Sequence, residues 1–498
     1  MAVKALMIYP RFNPKSFWGY ERGRALLGAR YPAAPLGLIT VAAMLPKDWD
    51  IRLINLNTQD LGQEDLAWAD LVMIGGMLAQ QFDALKVIEM AHAAGKPAVI
   101  GGPDVTSSPQ VYASADIRIR GEAESVIDDF VAAWNRGERK GDFIAPKFQA
   151  DITRSPIPRY DLLNFKHYMF LGVQFSRGCP FTCEFCDIIE LYGRAPRTKT
   201  PAQVLAEMDA LYAAGYRGHL DFVDDNLIGN KKAVKAFLPH LIEWQKKHAY
   251  PYVLSTEASL NLSDDPELLK MMRDANFFVV FMGIESPDPD TLRQTQKKQN
   301  TRRSIPDSVH RIYGYGISVI AGFIVGFDEE KRSIAGAMVE CIEESAIPVG
   351  MVGLLYALPN TQLTRRLEKE QRLHPRPGVD LSGRAGDACL DGLNFETLRP
   401  RQEILNDQAE VLSRIYDPQA FFGRVRRMLF MLKRHDLGIA IGLRDSLREI
   451  GRFFRILWYV TMQPEMRAPW WKLMLEILLR KPRVLRDLMV ATVFYVDL

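Results

Sequence analysis

Short apolar runs alternate with amphipathic segments through most of this 498-residue chain, and no other feature restricts its fold as strongly. Within the first 140 residues "KALMIYP", "DIRLINLN", "ADLVMIGGM", "KPAVIGG" and "ADIRIRGEAE" read as strands. "LGLITVAAMLP", Gln81 to Ala94 and Ser125 to Trp134 read as helices between them. Apolar strands separated by helices imply a parallel sheet covered on both faces. Residues 1–140 are therefore expected to form a Rossmann-like, doubly wound unit, whose ligands lie beyond the carboxyl ends of the strands. Gly75, Gly76, Gly101, Gly102, Pro103 and Gly121 fall at those ends, where glycine lets the backbone approach a ligand. A nicotinamide site is disfavoured, because no G-x-G-x-x-G follows the first strand.

A Pro- and charge-rich linker, 141–168, leads to a second alternation. "YMFLGVQFSRGC" begins it, and "HLDFVDDN", "YVLSTEASL", "FFVVFMGIES", "SVIAGFIVGF" and "VGMVGLLYALP" follow, each separated by a helical segment. The pattern predicts a partial (β/α)6 TIM barrel over 169–375, with active residues at the C-terminal ends of its strands. Asp224, Asp225 and Asn226, then Glu257, then Gly283 and Glu285 stand at such ends. Asp264 and Asp265, just before Pro266, read better as helix caps.

Five cysteines occur in the chain, and Cys179, Cys183 and Cys186 sit within eight positions. A disulfide would leave one thiol over, and a structural zinc site wants four ligands, usually as paired C-x2-C. Three thiolates without a fourth suit a [4Fe–4S] cube with one open iron. Cys341 and Cys389 stand apart and read as packed thiols.

Cys179, Cys183, Phe185 and Cys186 match C-x3-C-aromatic-x-C position by position, and the stretch resembles the signature of radical S-adenosylmethionine (SAM) enzymes. The resemblance implies that the three cysteines hold the cluster, whose open iron chelates SAM and cleaves it to a 5′-deoxyadenosyl radical. It places the SAM amino group near Asp224, Asp225 and Asn226, the ribose near Glu257, and the rest of the cofactor along Gly283, Glu285, Gly322 and Gly326. The first unit resembles the cobalamin-binding domain that precedes many such barrels. The matching residues are Leu36 to Leu38, Gly75, Gly76, Gly101, Gly102, Pro103, Gly121 and Glu122. The D-x-H-x-x-G cobalt-ligand motif is missing, and His92 reads as an ordinary helix histidine, so no histidine ligand is expected from this unit.

"ALPNTQLTRRLEKEQRL" and "DGLNFETLRPRQEIL" resemble the C-terminal extension of the subgroup that includes hopanoid C-2 methylase, which implies a mainly helical region over 376–498. The resemblance implies cobalamin-dependent radical methylation of an unactivated carbon, with a hopanoid-like lipid as one substrate class. Cyclisation, rearrangement, or methylation of a tetrapyrrole or natural product remain alternatives, and a non-enzymatic metal-binding interaction protein is the remote one. Expected partners are a small-molecule or lipid substrate and an electron donor such as flavodoxin or ferredoxin, with no nucleic acid.

From Arg424 onward fifteen Lys and Arg face seven Asp and Glu, so the basic charge belongs to the tail. Its Trp-, Phe- and Leu-rich helices fit either an amphipathic face lying in a bilayer interface or helices packed on the barrel with solvated basic residues. No signal peptide and no apolar run of about 20 residues occurs. The expected location is the cytoplasm, including the inner membrane face as a peripheral site.

Overall fold

The computed structural model describes residues 2–13, 19–374, 392–434 and 443–497, the first six residues of the last segment as backbone only. The first sheet contains β1 (Lys4–Tyr9), β3 (Asp50–Asn55), β4 (Leu71–Gly75), β5 (Ala98–Gly101), β6 (Ile117–Arg120) and β7 (Gly141–Ile144). Its order is β3-β1-β4-β5-β6-β7, parallel throughout. Ala5 to Ile8 in β1 are fully buried, because helices cover both faces of the sheet. The strand order reverses between β1 and β4, which opens the crevice for ligands in folds of this kind.

The second sheet curls in the order β15-β14-β13-β12-β11-β8-β2. It is built from β2 (Tyr31–Ala33), β8 (Tyr168–Val173), β11 (Gly218–Phe222), β12 (Tyr252–Glu257), β13 (Phe277–Glu285), β14 (Ser318–Val325) and β15 (Gly350–Leu354). Six of these strands, β8 and β11 to β15, form the parallel half-barrel expected from the alternation. The short strands β9 (Ser176–Arg177) and β10 (Arg197–Thr198) pair antiparallel beside the cysteine loop.

Two segments depart from the expected domain limits. β7 lies in the stretch read as linker yet completes the first sheet, its Phe143 ring set edge-on to Phe130 at 5.9 Å. β2 lies inside the stretch assigned to the first unit yet pairs with β8, Tyr31 opposite Tyr168. The chain thus crosses to the barrel, returns to build the first sheet, and crosses again.

Helices Arg401–Ile415, Pro418–Met431, Leu443–Met462, Pro464–Arg480 and Leu485–Tyr495 follow the barrel. The first packs on the helix Ala335–Glu344 and the edge strand β15, Gln408 donating to the Val352 carbonyl at 3.0 Å. The region reaches the N-terminal end of the barrel, where the Arg434 Nη2 group donates to the Phe278 carbonyl at 3.2 Å. Asp497 accepts from the Arg22 and Gly23 amides at 2.6 and 2.9 Å, tying the chain's two ends together. Cys341 is buried in the helix Ala335–Glu344, and burial pushes its thiol up to about 12. Cys389 lies outside the described residues.

Candidate active site between the two sheets

The cysteine loop is held from three sides. Asp224, just past β11, accepts from the Phe175 and Ser176 amides at 2.8 and 2.7 Å and from the Ser176 hydroxyl at 2.6 Å. The Gly178 amide donates to Asp225 at 2.8 Å. Gly178 has φ +95°, and a Cβ there would stand 2.9 Å from the Gly193 carbonyl, so only glycine passes. The Cys179 amide donates to that same carbonyl at 3.2 Å.

Asp224, expected near the SAM amino group, anchors the loop: both of its oxygens accept from it, and the residue stands behind the cavity wall. Asn226 is likewise buried, donating to the Ser259 hydroxyl at 3.1 Å and toward the Cys179 sulfur at 3.9 Å. Asp225 and Glu257 do line the cavity.

Side chains from the loop 295–300 close over the cysteines, and the sequence reading missed them. Gln299 Nε2 donates toward Cys183 Sγ at 3.7 Å. Lys297 Nζ stands 2.7 Å from Glu285 and 5.9 Å from the centre of the Phe185 ring. Burial works to lower the Lys297 pKa, but Glu285 and Cys183 outweigh it and push it up. Glu285 takes φ +69° at the irregular end of β13, and a Cβ on Gly283 would collide with its carboxylate. Gly283 and Glu285 thus serve a buried ion pair, and neither lines the cavity.

Burial pushes the Cys179 and Cys186 thiols up. Metal binding to such thiols releases protons, because the thiolate is the ligand. Among the described residues no three His, Cys, Asp or Glu side chains gather round one ion position. Amide donors aimed at two of the sulfurs suit thiolate ligation, so the residues fit a [4Fe–4S] cluster.

Above the loop lies a cavity of about 2610 Å³, several times the roughly 300–1,000 Å³ of ordinary ligand pockets. Its upper wall is the carboxyl end of the first sheet: Gly75, Gly76, Gly101, Gly102, Pro103 and Gly121. Gly102 has φ +105°, and a Cβ there would lie 2.9 Å from the Gly76 carbonyl, so two neighbouring strand ends approach as bare backbone. A wide, glycine-walled crevice at the strand reversal fits a large planar cofactor. His92 stands away from this wall, paired with Asp116 at 2.8 Å.

Glu122 reaches the cavity edge, but its carboxylate is bound by Arg177 at 3.2 Å and Arg197 at 2.8 Å. Arg177 also bonds Glu124 at 2.8 Å, which accepts from Ser155 at 2.6 Å. Glu122, at the cavity edge, is also half of a clasp between the sheets, with Arg177 immediately before the Gly-Cys turn.

Glu257 is pushed up to about 8 by burial and by Asp221, Asp225 and Asp224. Burial likewise raises Asp225 and Asp221, each to about 6. A group of carboxylates on the cavity wall, with Glu257 open to the cavity, suits a cationic ligand, and SAM carries a sulfonium and an ammonium.

The folded-state pKa of Glu257 lies above its ordinary value, so the folded protein keeps a proton that the unfolded chain releases between about pH 4.3 and 8. Stability falls as pH rises through that window and levels above it. Glu257→Gln removes this slope. In thermal melts without SAM, the variant's gain in Tm should be larger at pH 8.5 than at pH 5.5, by a small margin because the Glu257 side chain is open to the cavity. Equal shifts at both pH values would contradict the assignment.

A family profile for the radical SAM superfamily matches residues 173–341. An uncharacterised methyltransferase of Synechocystis sp. PCC 6803 is 42% identical over 485 residues, 97% of this chain and 89% of that one. The chain belongs to the radical SAM superfamily. Residues 361–498 match a domain of unknown function, DUF4070. Hopanoid C-2 methylase of Rhodopseudomonas palustris is 35% identical over 502 residues, covering 96% of this chain and 90% of that one. The fold is that of the cobalamin-dependent SAM radical enzyme OxsB, with TM-score 0.64, 14% identity, and coverage of 100% of this chain and 80% of that one. The radical SAM methyltransferase TsrM of Kitasatospora setae superposes with TM-score 0.62 and 16% identity, over 76% of this chain and 80% of that one. As a radical SAM enzyme, the chain uses a [4Fe–4S] cluster and SAM. None of its helices, among the described residues, is long and apolar enough to cross a membrane.

Proposed function

We propose that this chain is a cobalamin-dependent radical SAM C-methyltransferase acting on a polycyclic lipid of the hopanoid class. The observation that carries the proposal is the single cavity joining the glycine-walled end of the first sheet to the carboxylate-lined strand ends of the barrel. Two cofactor sites facing one substrate space place both reagents against the same carbon. The 35% identical hopanoid C-2 methylase supports the substrate class.

Cys179, Cys183 and Cys186 hold the cluster, and Phe185 packs beside it against Phe327 at 5.7 Å. Asp225 and Glu257 receive the amino and ribose groups of SAM. Gly75, Gly76, Gly101, Gly102, Pro103 and Gly121 form the cobalamin bed. Bound together, these cofactors supply a hydrogen-abstracting radical and a methyl group. The apolar lining, with Met7, Met73, Ile74 and Val99 on the first-sheet side, keeps water from a reactive carbon. Gln299 and Asn226 stabilise thiolate charge through N–H···S bonds. Gln299→Leu should therefore lower the cluster's midpoint potential by tens of millivolts in an EPR-monitored titration, and an unchanged potential would show that the Gln299 amide does not reach the ligand.

The helix Leu443–Met462 exposes Ile450, Phe454, Trp458 and Met462 by 51, 60, 68 and 52%, spaced four residues apart. This stripe supports peripheral contact with a bilayer, the source of such a lipid. The test is incubation of the anaerobically reconstituted protein, with reductant and methyl-labelled SAM, with a pentacyclic hopanoid in anionic phospholipid vesicles. Transfer of the label into the lipid is expected. Rearranged or cyclised lipid without the label would place the chain among other radical SAM reactions.

A further inference from the structure

The cavity does not stop at the cofactor level. It continues down the inside of the barrel, past Phe170, Val253, Val279, Ile320 and Met351, to Met489 and Val490 of the helical extension. Within this mostly apolar stretch His219, Ser255 and Asp221 form one hydrogen-bonded polar group, above a lower end where Arg217, Arg486 and Glu449 also line the cavity. His219 and Asp221 share a face of β11, and Ser255 and Glu257 share the matching face of β12, because side chains on one face recur every second residue. The register sets Asp221 beside Ser255 and His219 beside Val253.

The hydrogen bonds define a direction. The Ser255 hydroxyl donates to Asp221 Oδ1, so its oxygen is left to accept from His219 Nε2–H, 2.6 Å away. That fixes the tautomer and leaves His219 Nδ1 as a bare acceptor with no donor among the described residues. The imidazole lies between the Phe170 and Phe278 rings, 5.0 and 5.1 Å from their centres. Burial, with Arg486 nearby, lowers its pKa to about 3 and keeps it neutral. Burial also raises Asp221, to about 6. The group offers the His219 Nδ1 acceptor to a donor on a ligand, between the apolar walls of the barrel and the arginines at the lower end of the cavity.

We infer that His219, Ser255 and Asp221 form a polar anchor for a hydroxyl at the far end of an elongated, rigid, apolar substrate lying along the barrel axis. The inference rests on the lipid-methylation reading and specifies its substrate. At about 3.3 Å per residue, His219 lies four residues, or roughly 13 Å, below the level of Glu257. The anchored hydroxyl and the reacting carbon of the substrate are separated by about that distance. The anchor thereby selects which end of the molecule faces the cofactors, a specificity that the apolar walls alone do not supply.

The experiment compares a pentacyclic triterpene hydrocarbon with its analogue carrying one hydroxyl at the end remote from the A ring, both in the same vesicles with the reconstituted full chain. The hydroxylated probe should show a KM about tenfold lower, the yield of one well-formed hydrogen bond. Ser255→Ala and His219→Phe should reduce that preference to about twofold or less, with folding verified by the cluster's absorbance and by thermal melts. The wild-type ratio carries the test even if a variant fails to fold. Methylation of both probes with equal KM would overturn the anchor alone. Methylation of neither would overturn the lipid reading and the anchor with it.

Discussion

Cys183→Ala is expected to abolish 5′-deoxyadenosine formation while leaving the fold intact. Cys183 is the most deeply buried of the three motif cysteines, and its sulfur receives the Gln299 amide. Loss of any one thiolate leaves a cube with two protein-held corners, which cannot be retained at the open geometry SAM requires. Cys179→Ala and Cys186→Ala should behave alike, since each supplies one corner. The backbone bonds that shape the loop come from Asp224, Asp225 and Gly193, so its conformation does not depend on the thiol. Iron content and deoxyadenosine are measured together with far-UV circular dichroism. A folded variant that still cleaves SAM at the wild-type rate would remove that cysteine from the site.

Arg177→Met should produce the largest loss of stability. Arg177 is nearly enclosed and bridges Glu122 and Glu124, whose side chains are only 4 and 5% exposed. Its Nε also donates to Gln174 at 2.7 Å. Removing one partner of a buried ion pair leaves the other's charge uncompensated, at a cost of about 3–5 kcal/mol. Arg197 still reaches Glu122, so the orphaned group is Glu124. Burial disfavours the Glu124 charge, but Arg177 outweighs it and holds the carboxyl below its usual range. A depressed carboxylate contributes stability that is present at neutral pH and lost as pH falls through its folded-state value. The destabilisation by Arg177→Met is therefore larger at pH 7 than near pH 4. A variant with an unchanged urea midpoint at pH 7 would show that the clasp does not hold the two sheets together.

The architecture was legible because the first sheet is buried on two faces and the barrel strands are covered outside and mostly apolar toward the cavity, so that both sets announce themselves as apolar runs. β2 and β7 escaped for the opposite reason. "YPA" and "GDFI" are three- and four-residue edge strands with a Pro or a Gly, too short to show a pattern. The cysteines, Asp225, Glu257 and the strand-end glycines were visible as residue types in the expected places. Whether a carboxylate at a strand end is free or already engaged is a property of the fold. Asp224, Asp225 and Glu122 look like Glu257 in the sequence, yet backbone amides bind Asp224 and Asp225, and two arginines bind Glu122. Lys297 and Gln299 lie in "TQKKQN", a polar run that reads as a solvated loop, and only the third dimension sets it over the cysteines. One signal was available and unused. In "HLDF" and "LSTE" polar residues recur every second position on strands that line the inside of a barrel, which marks a shaft with polar stations rather than a dry core.

The central claim is that one chain directs two SAM-derived reagents to one carbon. Its most direct measurement is the stoichiometry of products from the anaerobically reconstituted, cobalamin-loaded enzyme with reductant, SAM and hopanoid. Equal amounts of 5′-deoxyadenosine, S-adenosylhomocysteine and methylated lipid are predicted. Deoxyadenosine without S-adenosylhomocysteine, from protein that binds no corrinoid, would contradict it.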